Sequence, residues 1–167
     1  DLLIVVPNSL QMGWCKSPPF FCAVSETGRD VIQDLLLQEQ SLPVHPMEHY
    51  ICGKETSTST HSNKSLEQHT PVDLVEVYVD DFLGITNNMD QPHLQHFGRA
   101  LLHGIHSVFP PPAITGHDGG DPISEKKIQQ GDGQWAHLKE ILGWEFNGKN
   151  FTVQLPQEKA TKIQRLI

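Results

Sequence analysis

Asp80 and Asp81 stand side by side between two strand-like runs, Val72 to Val79 and Phe82 to Thr86. A junction of that kind is usually softened by Gly or Asn. Two unit charges ~4 Å apart repel by only about 1 kcal/mol in water and about 4 kcal/mol at a surface-like dielectric. Taken alone, the pair therefore reads plainly as a solvated turn. The other reading is chemical. A hairpin can project a carboxylate at a fixed point, where with another acid it holds divalent metal ions. Such ions bridge substrate phosphates, activate a hydroxyl and stabilise the leaving oxygen in phosphoryl transfer.

The elements around the pair have to position it. The run 72–86 is rich in β-branched residues and reverses abruptly, which predicts a tight hairpin with Asp80 at its tip. Ahead of it, residues 2–6 read as a short buried strand. Ser17 followed by Pro18 then signals a helix start, with a hydroxyl cap and a residue suited to the first turn. Phe21, Val24, Gly28, Val31 and Leu35 mark one face of that helix to about Gln40. Residues 41–70 lack a period and turn Ser/Thr-rich, so they read as a flexible insertion, with 53–66 its most mobile part. After the hairpin, Asp90 can cap a helix with Pro92 in its first turn. Leu94, Phe97, Leu101, Ile105 and Val108 form its core stripe. An irregular Pro/Gly-rich connection follows. Asn147-Gly148 then predicts a second hairpin between Ile141–Phe146 and Phe151–Leu155. Pro156 opens a last helix with Ala160, Ile163 and Leu166 or Ile167 on one face. This order implies an α+β fold with helices packed on an antiparallel sheet.

Three blocks give the acid pair company. Tyr78-Val79-Asp80-Asp81 inside an apolar hairpin resembles the Y-x-D-D motif of reverse transcriptases. Upstream, "LQMGWCKSPPFF" (Leu10 to Phe21) resembles that family's L-P-Q-G-x-x-x-S-P-x-x-F segment, with Met12 where the family has Gln. Downstream, "EILGWEFNGKNFTVQLPQEK" (Glu140 to Lys159) resembles the hairpin called the primer grip and the L-P-x-x-K run after it. The blocks occur in family order and cover most of the chain. They look most like the polymerase palm of a long-terminal-repeat retrotransposon polyprotein, truncated at its N-terminus.

The resemblance implies a polymerase palm, at 1–40 and 71–135, interrupted by the 41–70 insertion. A primer-grip hairpin at 136–156 and the start of the thumb at 157–167 complete that layout. Asp80 would ligate metal directly with Asp81 beside it, as part of a site for two Mg²⁺ ions, and Tyr78 would pack near the primer end. Gly13 would let backbone approach nucleotide or template, and Trp14 would stack on a base or sit half-buried in its loop. Leu142, Gly143 and Trp144 would touch the primer backbone or pack in the core. Lys127, or its neighbour Lys126, would be the palm lysine near the triphosphate or lie on a solvated helix face. The family's other catalytic acid lies upstream of the Gly-containing loop. Asp1 is too close to Gly13, lacks the aromatic-rich sequence that should follow that acid, and is not assigned to it.

The bulk numbers limit what this chain does alone. A net charge of −8 argues against a free-standing basic nucleic-acid-binding module. The implied partners are RNA or DNA template, primer and deoxynucleotide in a longer protein, with weak or no binding and no polymerisation by these 167 residues alone. No apolar run approaches the roughly 20 residues of a membrane span. The three cysteines have no metal-ligand spacing, which favours a reduced, intracellular compartment. The ten histidines are scattered and read as surface polar residues. An alternative from another class is a non-catalytic retroelement relic that keeps the fold as a structural or binding domain. A nuclease or other nucleotidyltransferase would leave the upstream and downstream blocks unexplained.

Overall fold

The computed structural model describes residues 17–38, 40–51, 72–116 and 120–165, which fall into two compact units divided after Gly133. The expected strand 2–6 and the segment 53–66 lie outside the described residues. The chain is mixed α+β, with helices and two small antiparallel sheets. Among the described residues, no helix is long and apolar enough to cross a membrane.

The first unit is built on two long helices, α1 (Ser17–Leu36) and α3 (Gln91–Val108), and the hairpin of β1 (Asp73–Tyr78) and β2 (Asp81–Thr86). The short α2 (Glu48–Ile51) lies between α1 and the hairpin in sequence. α1 begins with Pro18 and Pro19 in its first turn, where missing N–H groups cost nothing. The expected hydroxyl cap is not made: Ser17 Oγ is buried without a hydrogen-bond partner.

The buried face of α1 is Ser17, Ser25, Gly28 and Ile32, rotated from the expected stripe, and Val24 is exposed. The reason is the close approach of α3. A Cβ at Gly104 would stand 2.2 Å from Ile32 Cγ1, and one at Gly28 would stand 2.9 Å from Val108 Cγ2. Small residues at the crossing let the backbones come together, and that requirement outranks side-chain hydropathy. Ser25 satisfies its own hydroxyl by donating to Phe21 O at 3.1 Å.

Gly104→Ala tests this crossing. In an open helix the change would stabilise by up to about 1 kcal/mol. Here the new methyl also meets the Ile32 backbone at 3.3 Å. The expected net effect is a loss of about 1–3 kcal/mol. Gly28→Ala meets only side-chain ends of Val108 and Phe82, so its urea midpoint should stay nearer wild type. Equal midpoints for the two variants would show that the crossing is not so tight.

α3 also departs from the single expected stripe. Leu94 and Phe97 are buried as expected, but so are Gly98, Ala100, Leu102 and Gly104, while Leu101, Ile105 and Val108 are only partly covered. The helix is packed on more than one side. Leu102 joins Ile51, Ile123 and Ile128 in a cluster flanked by Met47, Tyr50 and Ile105. Residues 42–51, expected as part of a flexible insertion, thus supply core through Ile51 and buried polar anchors through His45 and Glu48. Asp90 stands at the N-cap of α3, but its side chain makes no capping bond. Beyond α3 come α4 (Pro112–Thr115), α5 (Glu125–Lys127) and a π-helical turn, Ile128–Asp132.

The second unit is a three-stranded antiparallel meander, β3 (Leu138–Ile141), β4 (Trp144–Asn147) and β5 (Thr152–Gln154), followed by α6 (Gln157–Gln164). The expected strand Ile141–Phe146 is broken. Leu142 and Gly143 form the tight turn between β3 and β4, with φ of 51° and 82°, the pattern of a type I′ hairpin. Asn147-Gly148 is not the two-residue turn that its sequence suggests. Asn147 pairs with Leu138 and Thr152, and its Oδ1 accepts from the N–H groups of Lys149 and Asn150. A tight turn at 147–148 would set Phe146 against Lys149. The longer loop instead pairs Phe146 with Val153 and Glu145 with Gln154, whose Nε2 donates to the glutamate at 2.6 Å. Cross-strand complementarity overrides the local turn signal.

Candidate functional site

The tip of the β1–β2 hairpin follows from its register. Tyr78 pairs with Asp81, leaving Val79 and Asp80 as a two-residue turn. Val79 has φ 58° and Asp80 does not share the positive sign. Positive φ at the first turn position alone is the type II′ pattern, which normally takes Gly there. A β-branched residue in that conformation is a backbone outlier, and such positions cost of order 1–3 kcal/mol. The surrounding ladder holds the turn in this strained shape.

Side-chain alternation divides the hairpin into two faces. Asp73, Val75, Val77, Phe82, Gly84 and Thr86 form the covered face, with Val75 fully buried. Leu74, Glu76, Tyr78, Asp81 and Ile85 are exposed on the other face, and Asp80 is exposed at the turn. α1 braces the edge of β1. Gln33 Nε2 donates to Asp73 O at 3.1 Å, and Gln33 Oε1 accepts from Val75 N–H at 3.2 Å. At the open end His93 contacts Asp73 Oδ1 at 2.9 Å, and Val72 N–H donates to Asn87 Oδ1 at 2.8 Å. One end of the hairpin is thus tied to two helices, and the tip carrying both acids projects into solvent.

Val79→Gly should release the turn strain, partly offset by the greater freedom of Gly in the unfolded chain. The expected result is a gain of about 1 kcal/mol in hairpin stability, read as slower amide exchange across 74–85. Faster exchange in the variant would show that Val79 is not strained.

No protein family, curated protein or solved structure matches this chain. Asp80 and Asp81 supply hard oxygen donors of the kind Mg²⁺ takes. Both come from one hairpin, and among the described residues no group of three or more His, Cys, Asp or Glu side chains is arranged to hold a metal ion. The donor chemistry fits Mg²⁺, and two carboxylates would supply only part of its coordination sphere.

The other candidate residues separate into groups. Gly13 and Trp14 lie outside the described residues. Leu142 and Gly143 form the β3–β4 turn in the second unit, and Trp144 opens β4, with Leu142 and Trp144 about half exposed. That exposure leaves both side chains available for contact, so full core burial is not their role. Lys159 of α6 donates to Glu140 and, at 3.1 Å, to Gly143 O, holding this turn against the helix. Lys127 ends α5 as an exposed residue whose backbone N–H donates to Ser124 Oγ, and Lys126 beside it is exposed too.

A polar cluster in the first unit had no counterpart in the expectations from sequence. Glu48 is buried and paired with Arg99, Nε to Oε2 at 2.7 Å and Nη2 to Oε1 at 2.8 Å, and Gln95 Nε2 donates to Oε1 at 2.6 Å. These donors, Arg99 foremost, hold the Glu48 carboxyl well below its ordinary range, at about 2. Next to it His45 is only 5% exposed, which corrects the expectation that the histidines are surface residues. Nothing local in the sequence marks this cluster, because its members come from α2, α3 and the connections around them.

Proposed function

We propose that this chain is part of the polymerase palm of a retroelement reverse transcriptase and serves template-directed addition of deoxynucleotides to a primer. The observation that carries the reading is the strained two-residue turn that sets Asp80 at the solvent-facing tip of a helix-braced hairpin, beside Tyr78 and Asp81. Asp80 is the direct metal ligand in this reading, and Asp81 adds negative charge on the exposed face. Tyr78, 60% exposed, offers its ring to the primer end. Bound Mg²⁺ ions supply Lewis-acid stabilisation of the transferring phosphoryl group and of the attacking and leaving oxygens.

The supporting residues have matching tasks. Leu142, Gly143 and Trp144 present a rigid turn and a half-exposed aromatic to the primer backbone, and Lys127 is the candidate cation for the triphosphate. Gly13 and Trp14 remain nucleotide or template contacts of the proposal. The net charge of −8 makes weak binding to a primer–template the expectation for these residues alone. Polymerisation on this reading needs a longer polypeptide that supplies an opposing carboxylate and basic residues, in an intracellular setting.

The second reading is a non-catalytic relic acting as a structural or binding domain. It is favoured by the lack of a third converging acid among the described residues. Primer extension on RNA and DNA templates separates the two. The test uses the 167-residue chain and a polypeptide that also continues upstream of Asp1, each with and without Asp80→Asn. Mg²⁺-dependent extension by the longer polypeptide, lost on substitution, supports the polymerase. Absence of extension from every form supports the relic.

A further inference from the structure

The buried ring of His45 belongs to a hydrogen-bonded chain that joins three separate segments. Met47 N–H donates to His45 Nδ1 at 3.1 Å, which fixes the His45 proton on Nε2. His45 Nε2–H then donates to His106 Nδ1 on α3 at 3.0 Å. His106 Nε2–H donates in turn to Asp121 Oδ1 at 3.0 Å, and the same oxygen accepts from Ile123 N–H at 2.8 Å. Each nitrogen has one role, so the chain is complete only with both rings neutral.

A second proton has no place in this arrangement. On His45 Nδ1 it would face the Met47 N–H, and on His106 Nδ1 it would face the His45 Nε2–H. In either case two donors would oppose each other in a site with little water. The groups around His45 reinforce this. From α3 it meets His106 and His103, with ring centroids 4.9 Å away in each case. On its own side Glu48 accepts from His45 N–H at 3.2 Å, but that carboxylate is already committed to Arg99. Asp121 lies one ring further away, beyond His106.

We propose that the His45–His106–Asp121 chain is an acid-sensitive latch, which docks residues 42–51 on α3 at neutral pH and releases them as the medium acidifies. Burial first, and then His106 and His103, hold His45 down to about 4 from an ordinary 6.5, against the pull of Asp121 and Glu48. The folded value is lower than the unfolded one, so the released state binds more protons between them. The stabilisation is fully present above about pH 6.5 and is lost progressively as pH falls towards 4. At pH 5 the docked state should be weakened about 30-fold relative to pH 7.5. The Glu48–Arg99 pair stays charged throughout this window, since Glu48 is held at about 2. The effect therefore belongs to His45.

The test is amide exchange of the 167-residue chain at pH 7.5 and pH 5, each corrected for intrinsic rates. The reporters are the bonded amides of Met47, Glu48 and Tyr50, and the β1–β2 ladder is the reference. The expected result is a fall in protection of about 10- to 30-fold at the reporters, against less than about threefold in the ladder. His45→Gln keeps a donor without a titrating ring and should remove the difference. An equal fall in both regions, or an undiminished fall in His45→Gln, overturns the latch. Should that variant be unfolded, direct titration of the His45 ring in the wild type decides. Titration near 4 from the Nε2–H tautomer supports the latch, and a value near 6.5 overturns it.

Discussion

Replacing Asp80 with Asn should lower Mg²⁺-dependent primer extension by the longer polypeptide about 1,000-fold or more, while leaving the hairpin folded. The substitution keeps size and one oxygen but removes the charge that a hard dication requires. Loss of a metal ligand forfeits several kcal/mol of transition-state charge stabilisation, and each 1.36 kcal/mol is tenfold in rate. Stability should change by no more than about 0.5 kcal/mol, because Asp80 is exposed in the turn. Asp81→Asn should have a smaller effect on rate, since that side chain begins β2 on the exposed face and in the proposal adds negative charge beside the direct ligand. Glu76→Gln is a fitting control. It lies on the same exposed face, paired only loosely with Arg29 at 3.9 Å, and should leave extension unchanged. A rate within threefold of wild type for Asp80→Asn, with the hairpin intact, would remove Asp80 from the metal site.

The parts of this site that could be read from sequence are those encoded by neighbours in the chain. Alternation and β-branching from Val72 to Thr86 gave the hairpin and placed Asp80 at its tip, because both strands carry their period locally. Pro92 and the spacing of Leu94 and Phe97 did the same for α3. What could not be read depends on partners far along the chain. The buried face of α1 is chosen by Gly104 of α3, and the β4–β5 loop by the match of Phe146 with Val153. The strained turns were illegible for a related reason. Val79, Leu142 and Phe151 occupy positive φ, where Gly or Asn is the usual signal, so none of these residue types announces its conformation. His45 and His106 are 61 positions apart, and no periodicity connects them.

The largest expected effect on stability comes from Glu48. Its carboxylate accepts from Arg99 Nε and Nη2, from Gln95 Nε2 and from His45 N–H. The Glu48 and Arg99 side chains are only 10% and 15% exposed, so the pair gains from weak screening but leaves a desolvated charge if one partner is removed. Glu48→Gln keeps one acceptor and turns an amide donor towards donors already present. It should cost about 2–3 kcal/mol at pH 7. The pH dependence gives the signature. Glu48 is held at about 2 from an ordinary 4.5, chiefly by the Arg99 hydrogen bonds. A depressed carboxyl contributes stability that is fully present above about pH 4.5 and disappears as pH falls towards 2. The gap between wild type and Glu48→Gln in urea melts should therefore be constant from pH 5 to 8 and close between pH 4.5 and 2. That window lies mostly below the one in which His45 acts, the two overlapping only near pH 4 to 4.5, so the two groups can be told apart in one series. Arg99→Met tests the pairing: added to Glu48→Gln, it should cost much less than either change alone, because the guanidinium and the carboxylate it was bonded to are then both gone. Additive losses in the double variant, or a gap that persists unchanged at pH 2, would show that Glu48 stabilises the unit by packing and not through its charge.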